Sequence, residues 1–456
     1  MFISKAKTFA HGIHTDDCKS ETNHQAIKRF PFAPLLILPL QQHKGKPAIP
    51  LVKQGQEVLR GQMLARADGL MSSPIHAPAT GIVRKIALVA DISGNMVDGI
   101  YLQPHPGATQ EVAAGDICDL NSAAPEEILQ AIQDAGIVGL GGAVFPTHVK
   151  LHPPKDKPVD TLVINGAECE PYLTTDHRVM LEQTQDIIMG ARYLLKATGA
   201  MRAIIGIEAN KQDAAVKLQQ ALQTAQTNEP DNPALQAISI SVLSVKYPQG
   251  AEKILIKSLL GREVPVGAHS YEVGVVGINV ATTAEIGRLL PLGRGVQERV
   301  ITIAGPGIIN KGNYRIPIGT PLRFVLDSVG VSDNVTRIFF GGPMMGQAVP
   351  NLDVSVTKGV SGIVAFTEHE IQQSVKIYEC IHCGYCVDVC PMGLNPSALG
   401  LLAKNQEYEA MQHNYNLQNC FECGACSFIC PSHIPLVQYF RIAKSMLRKN
   451  ITSSAA

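Results

Sequence analysis

Residues 380–391 read CIHCGYCVDVCP, and residues 420–431 read CFECGACSFICP. The two runs share one spacing, Cys380-x2-Cys383-x2-Cys386-x3-Cys390-Pro391 and Cys420-x2-Cys423-x2-Cys426-x3-Cys430-Pro431. Iron in a cubane cluster wants soft thiolate ligands. Three cysteines at this spacing line one loop and reach three irons of one cluster. The fourth opens the next helix and points away, and in two-cluster ferredoxins it ligates the other cluster. The spacing predicts two [4Fe–4S] clusters, one on Cys380, Cys383, Cys386 and Cys430, the other on Cys420, Cys423, Cys426 and Cys390. Gly384 and Gly424 sit between ligands, where the backbone must approach inorganic sulfide. Zinc needs only four ligands per site, usually from two CxxC pairs, and is the weaker reading of two complete runs that each end in proline. The chemistry predicted is electron transfer.

These runs hold eight of the eleven cysteines. Thiols clustered this tightly read as metal ligands rather than disulfides. Cys18, Cys118 and Cys169 are left over and read as small buried hydrophobes. At 456 residues the chain should form about three domains. With 45% hydrophobic and 17% charged residues it can build several cores, which excludes disorder as its dominant state. Lys plus Arg and Asp plus Glu both number 39, so no net basic field steers the chain onto nucleic acid. No stretch reaches the roughly 18 apolar residues of a spanning helix. The opening MFISKAKTF lacks the apolar region of a signal peptide. A cytoplasmic chain, soluble or peripheral to a membrane, is expected.

Four zones precede or include the cysteines. Residues 31–110 are rich in Pro, Gly and β-branched residues, with short strand-like runs (KPAIPLV, QEVLRGQML, SPIHAPATGIVRKI) that predict a small all-β module. From Pro125, with Glu126 and Glu127 in a first helical turn, the pattern becomes helical over Ile128–Ala135. Strand-like TLVINGA, AIIGIEA and ISISVLSV then alternate with helical LEQTQDIIMGARYLLKA and the run Lys211–Gln226, which predicts βαβ units and a parallel sheet. RVITIAG, FVLDSVG and RIFFGG, between about 297 and 350, read as the β runs of a smaller α/β module. The last zone holds the cysteines. It ends in a helix carrying Arg441, Lys444, Arg448 and Lys449, cations that could complement the helix C-terminus or meet a membrane.

Two loops of the central zone stand out. GLGGAVFPTHVKL (139–151) carries Gly139, Gly141 and Gly142 with Lys150 beyond. Its N–H groups could cradle a phosphate, or it could be a tight turn between helices; it is neither a Walker A loop nor a dinucleotide fingerprint. NGAECEPYLTTDHR (165–178) places Asn165, Glu168 and Glu170 at the carboxyl end of a parallel strand, where ligands bind in open sheets. The same acids could instead cap the next helix. Read as neighbouring strand ends, the two loops could hold one cofactor.

GLGGAVFPTHVKL, INGAECEPYLTTDHRVM, KYPQGAEKILIKSLLGREVP, NVATTAEI, FFGGPMMG and the two cysteine runs follow one another in this order. In that combination the chain resembles the C subunit of the Rnf/Rsx electron transport complex over roughly residues 10–445. The resemblance implies a multidomain α/β protein. It comprises an N-terminal β barrel-sandwich hybrid (1–115), a central α/β flavin/NADH domain like the complex I flavin subunit (120–290), a β-grasp module (297–352) and a C-terminal helical two-cluster ferredoxin domain (368–450).

It further implies that Gly139, Gly141, Gly142 and Lys150 embrace FMN phosphate and ribityl, that Asn165 contacts the isoalloxazine, and that Glu168 and Glu170 face NADH. Glu208 would suit ribose hydroxyls, and Asn279, Thr282 and Thr283 would close over the flavin phosphate. One residue departs from the family pattern GGAGFPT: Val144 stands in place of the glycine that follows its alanine. The hybrid shows no lysine in SPIHAPATG for a prosthetic group, and His11, His14 and His76 read as structural. The function implied is electron input: NADH oxidised through FMN, single electrons relayed through the clusters to other members of a membrane complex, at the cytoplasmic face of the bacterial inner membrane. A soluble cobalamin reductase and a non-catalytic wiring subunit are the alternatives.

Overall fold

The computed structural model describes residues 6–371 and 376–454, the side chains only as far as residue 449. Residues 1–5 of the opening MFISKAKTF and residues 372–375, at the start of the ferredoxin zone, lie outside this range. At the centre is a four-stranded, all-parallel sheet in the order Ile238–Leu243, Arg202–Glu208, Thr161–Gly166, Val275–Asn279. The first three are the predicted apolar runs. Arg202–Glu208 and Thr161–Gly166 are buried along nearly their whole length, as inner parallel strands must be, whereas the edge strand Ile238–Leu243 is buried only at its two ends. From Thr161–Gly166 the chain adds two strands on one side, then returns to add Val275–Asn279 on the other. The carboxyl ends of Thr161–Gly166 and Val275–Asn279 thus flank the switch point where open sheets bind ligands.

Helices Thr184–Thr198 and Val280–Leu289 pack closely, because glycines sit where they cross. A Cβ on Gly190 would stand 1.9 Å from the Thr283 carbonyl oxygen, and one on Gly287 would stand 2.0 Å from that of Asp186.

The N-terminal module is a pair of small antiparallel sheets. One orders Leu36–Pro39, Met96–Pro104, Gly81–Ala90 and Glu57–Val58; the other orders Ile49–Pro50, Met63–Arg66 and Ile75–His76. Its core is continuous with that of the central domain, Leu38, Leu64 and Val83 belonging to one buried cluster with Ile128, Leu162 and Leu194. His76 is buried there, and burial with the nearby Lys358 charge pushes its imidazole down to about 3.

The third module is a six-stranded mixed sheet in the order Lys28–Arg29, Gly312–Pro317, Glu298–Ala304, Gly362–Thr367, Val335–Phe340, Gln347–Ala348. It reaches past residue 352, since Gly362–Thr367 lies inside the sheet, and it borrows an edge strand from the N-terminal segment. FVLDSVG is a helix, Leu322–Val329, and not a strand. Its buried residues Leu322, Val325, Leu326 and Val329 recur at helical spacing; the β-branched run masks that period.

The cysteine module has its own core of Leu399, Met411, Leu417, Phe440 and Ala443. It is fastened to the central domain by an N-terminal strap. Gly12 N–H donates to the Val389 carbonyl at 3.0 Å, and Ile13 bridges Tyr247.

Candidate functional site: a switch-point crevice beside two cysteine quartets

Asn165 and Asn279 end adjacent strands in register. Asn279 Oδ1 accepts from the N–H groups of Ala281 at 2.9 Å and Thr282 at 3.2 Å, capping helix Val280–Leu289. Thr282 Oγ1 accepts from Leu140 N–H at 2.9 Å, so the helix start grips the glycine loop. That loop does not leave a strand of the sheet, as expected from sequence. It follows helix Pro125–Asp134 and folds back through a bridge between Val138 and Pro146.

A Cβ on Gly141 would lie 3.3 Å from the Asn279 side chain, whereas at Gly142 (φ +94°) nothing lies within 4 Å. Gly139 and Val144 close the turn with hydrogen bonds of 2.9 and 3.1 Å. Among the described residues nothing accepts from the N–H groups of Gly141, Gly142 or Ala143. Free backbone donors beside a helix N-terminus make an anion cradle, so these residues fit a phosphate-bearing cofactor such as FMN. Lys150, near this loop, forms a 2.5 Å ion pair with Glu252. Val144 holds φ 44°, a left-handed conformation that a β-branched residue adopts at a cost. Its side chain lies on Gly359 of the third module.

Not every expected residue points into the crevice. Thr283 is buried, and its hydroxyl donates to the Asn279 carbonyl inside its own helix at 3.1 Å. Glu208 is turned inward into a 2.8 Å pair with Lys211, both side chains about 1% exposed. Asn165 holds two loops, donating to the Gly250 carbonyl at 2.8 Å and accepting from Ala167 N–H at 3.1 Å. Glu168 does what the capping alternative expected. Its oxygens accept from the N–H groups of Asp176 at 2.8 Å and His177 at 3.3 Å, at the start of helix Thr175–Glu182. Glu170 accepts from the N–H groups of Met345 at 2.8 Å and Met344 at 3.1 Å, in the third module. Burial pushes its carboxyl up to about 7, against those two hydrogen bonds.

Sequence reasoning passed over Asp176, Lys211, Lys19 and the threonine pair 174–175. Asn279 donates to Asp176 at 2.7 Å, and burial followed by the Glu168 charge raises that carboxyl to about 7. Lys19 donates to the Glu170 and Leu173 carbonyls, and burial lowers its pKa. Thr174 and Thr175 lock onto Thr302 and Asn313 of the third sheet. The only local signal was TTDH directly after the acidic loop.

Beyond the acidic loop lie the cysteines. Members of each predicted quartet lie near one another, although among the described residues no group of three or more is placed closely enough to hold a metal ion as it stands. Cys390, Cys420, Cys423 and Cys426 line one cavity, closed by apolar neighbours such as Phe421 and Phe440. Burial pushes the Cys423 thiol up to about 12 and the Cys426 thiol up further. A bare thiolate is costly there, whereas iron would neutralise it, so the donor set fits a cluster. Cys386 lies within electrostatic reach of Cys380, Cys383 and Cys430. Cys380 and Cys383 are exposed. Glu422, between ligands of the buried set, pairs with Arg441 at 3.0 Å and Lys444 at 2.9 Å. Two of the four tail cations therefore serve the cluster loop. No helix among the described residues is long and apolar enough to cross a membrane.

An anion cradle at the switch point of a parallel sheet, next to two cysteine quartets, defines an iron–sulfur flavoprotein of the electron-transferring class. Comparison with known proteins finds three family models along the chain. Residues 7–106 match the RnfC barrel sandwich hybrid domain, 132–288 the Nuo51 FMN-binding domain, and 379–434 the 4Fe-4S dicluster domain. The C subunit of the proton-translocating ferredoxin:NAD(+) oxidoreductase complex of Clostridium ljungdahlii is 40% identical over 96% of this chain and 94% of that one. The C subunit of the Na(+)-translocating counterpart of Acetobacterium woodii is 38% identical over 90% of each chain. The C subunit of the ion-translocating oxidoreductase complex of Haemophilus influenzae strain 86-028NP is 41% identical over 96% of this chain, which spans 64% of that relative's length. An NAD+-reducing [NiFe]-hydrogenase crystal structure, in the H2-reduced state, shares the fold. Its TM-score is 0.52 at 18% identity, over 71% of this chain and 61% of that chain. The chain belongs to the family of C subunits of ion-translocating oxidoreductase complexes.

Proposed function

We propose that this chain is the peripheral electron-input subunit of a membrane-bound ferredoxin:NAD+ oxidoreductase complex, working at the cytoplasmic face of the inner membrane. FMN, when bound, exchanges an electron pair with NADH and single electrons with the clusters, which one-electron carriers cannot do alone. The chain's residues supply position. The loop Gly139–Gly142 would receive the phosphate through the free N–H groups of Gly141, Gly142 and Ala143, beside the helix start that Asn279 and Thr282 fix to it, with the Lys150–Glu252 pair nearby. Asn165, which ties the Gly250 and Ala167 backbones together, would contact the isoalloxazine. Hydride transfer needs no acid or base from the protein, so Glu168 and Glu170 act by holding the acidic loop against helix Thr175–Glu182 and the third module. Glu208 and Thr283 act from behind the crevice. The two quartets carry one cluster each, with Cys390 and Cys430 crossing between runs.

The observation that carries this reading is the juxtaposition of the phosphate cradle and a cysteine-lined cavity within one chain. A wiring subunit that binds no nucleotide would draw its support from Val144, whose side chain lies on Gly359 instead. An anaerobic titration of the purified protein with NADH tests the reading. Flavin bleaching followed by reduced-cluster EPR signals is the expected result. Clusters that respond to dithionite but not to NADH, in protein that yields no flavin on extraction, would overturn it.

A further inference from the structure

Two motifs that the site has so far used only as backbone anchors for Asn165 and Glu170, KYPQG and FFGGPMMG, both reach the same cluster loop. Tyr247 leaves the sheet after Ile238–Leu243 and is 2% exposed. Its hydroxyl donates to the Cys423 carbonyl at 2.5 Å. Its backbone is clamped by Ile13 through two hydrogen bonds of 2.9 Å. FFGGPMMG approaches from the other side. Its Met344 and Met345 N–H groups are held by Glu170, and the Met344 carbonyl oxygen and methyl carbon lie 3.3 and 3.5 Å from the position of a Cβ on Gly424. Ile13, Tyr247, Cys423 and Ala425 form one buried apolar cluster, with Cys169 and Met344 packed against it. The acidic loop and the Cys420–Cys426 loop are thus joined twice, while Cys380 and Cys383 face solvent.

We propose that Tyr247 is a positioning residue for the Cys390/Cys420/Cys423/Cys426 cluster, its hydroxyl setting that cluster's redox environment from within the flavin domain. This cluster is then the electron partner of the crevice, and the exposed one is the outer terminus. Hydrogen bonds around the ligands and solvent exposure are levers that tune cluster potentials. A donor aimed at a ligand's carbonyl stabilises the more negative, reduced state. Losing the Tyr247 hydroxyl removes that stabilisation and leaves the ring in place.

The proposal rests on the reading that the chain carries two clusters, and the experiment separates the two. Full-length protein is reconstituted anaerobically as wild type, Tyr247→Phe, Met344→Ala and Cys383→Ser, then titrated potentiometrically with EPR detection. Wild type with about eight irons and two cluster signals upholds the reading beneath the proposal; protein that takes up no cluster overturns that reading before any variant is compared. Cys383→Ser identifies the signal of the exposed set. The expected result is that Tyr247→Phe moves only the other midpoint to more negative potential. Met344→Ala should alter the EPR line shape of that same cluster. Both signals unchanged in the two variants, or a change confined to the exposed set, would overturn the proposal. If Tyr247→Phe does not assemble, Met344→Ala decides by the same criterion. A purely structural tyrosine would lower thermal stability and leave both midpoints where they were.

Discussion

Gly190→Ala probes how helix packing controls the crevice. The new Cβ would stand 1.9 Å from the Thr283 carbonyl oxygen. An ordinary contact is about 3.5 Å, so the helices must part by roughly 1.5 Å along that line. Overpacking against backbone costs about 1–3 kcal/mol, and alanine in a helix interior returns up to about 1 kcal/mol. A net loss of about 1–2 kcal/mol corresponds to a fall in Tm of roughly 3–6 °C for a domain of this size. The more telling effect is local. Thr283 shares its helix with Asn279 and Thr282, and Thr282 holds Leu140 at 2.9 Å. Moving that helix start should loosen the glycine loop and weaken FMN retention, read as flavin fluorescence released during gel filtration. Gly199→Ala is the control. Its φ is +68° with nothing within 4 Å, so alanine there strains the helix end by about 1–2 kcal/mol without touching the loop. If Gly190→Ala kept its flavin as well as Gly199→Ala does, the link from helix packing to cradle would be refuted.

Arg60 and Glu298 join the hybrid to the third module through a 2.6 Å pair, with side chains 6% and 10% exposed. Arg60→Ala should cost about 3–5 kcal/mol by stranding Glu298, and Arg60→Met with Glu298→Met should recover much of it in denaturant unfolding. Lys358 is buried against the carbonyls of Pro74 at 2.6 Å and Gly136 at 2.7 Å, and burial lowers its pKa from 10.5 to about 7. The unfolded chain therefore binds the extra proton between those two values, so this group makes stability rise with pH across that window. Lys358→Met should flatten the slope, and an unaltered slope in urea melts from pH 7 to 10 would contradict the assignment. Val144→Gly exchanges left-handed strain at φ 44° for backbone entropy. Its melting temperature should stay near that of wild type, and a loss above about 2 kcal/mol would mean that the contact with Gly359 matters more than the strain.

What could be read along the chain was what short-range chemistry dictates. Ligand type and spacing pointed to two cysteine sets, and the structure does bring Cys390 to the cavity of Cys420, Cys423 and Cys426, from the loop after helix Tyr385–Asp388 and not from the start of a helix as the spacing suggested. Apolar runs bounded by helical patterns gave the parallel sheet. FVLDSVG misled because a run of apolar, β-branched residues looks like a strand, and its helical period shows only against the partners that bury it. The acidic loop was located correctly. Yet spacing could not say that Glu168 would cap a helix, that Glu170 would hold a methionine pair about 175 residues away, or that Glu208 would turn inward to Lys211.

Those outcomes depend on contacts between segments far apart in sequence, and local periodicity carries no record of them. Tyr247 is the clearest case. As a residue type it is an ordinary tyrosine before a proline, and only the docking of the cysteine module brings the Cys423 carbonyl to its hydroxyl. Ligand chemistry is a property of residues close together in the chain and is written there. Burial, register and the meeting of domains are properties of the packed whole, and they decide which of the written residues face the crevice and which support it from behind.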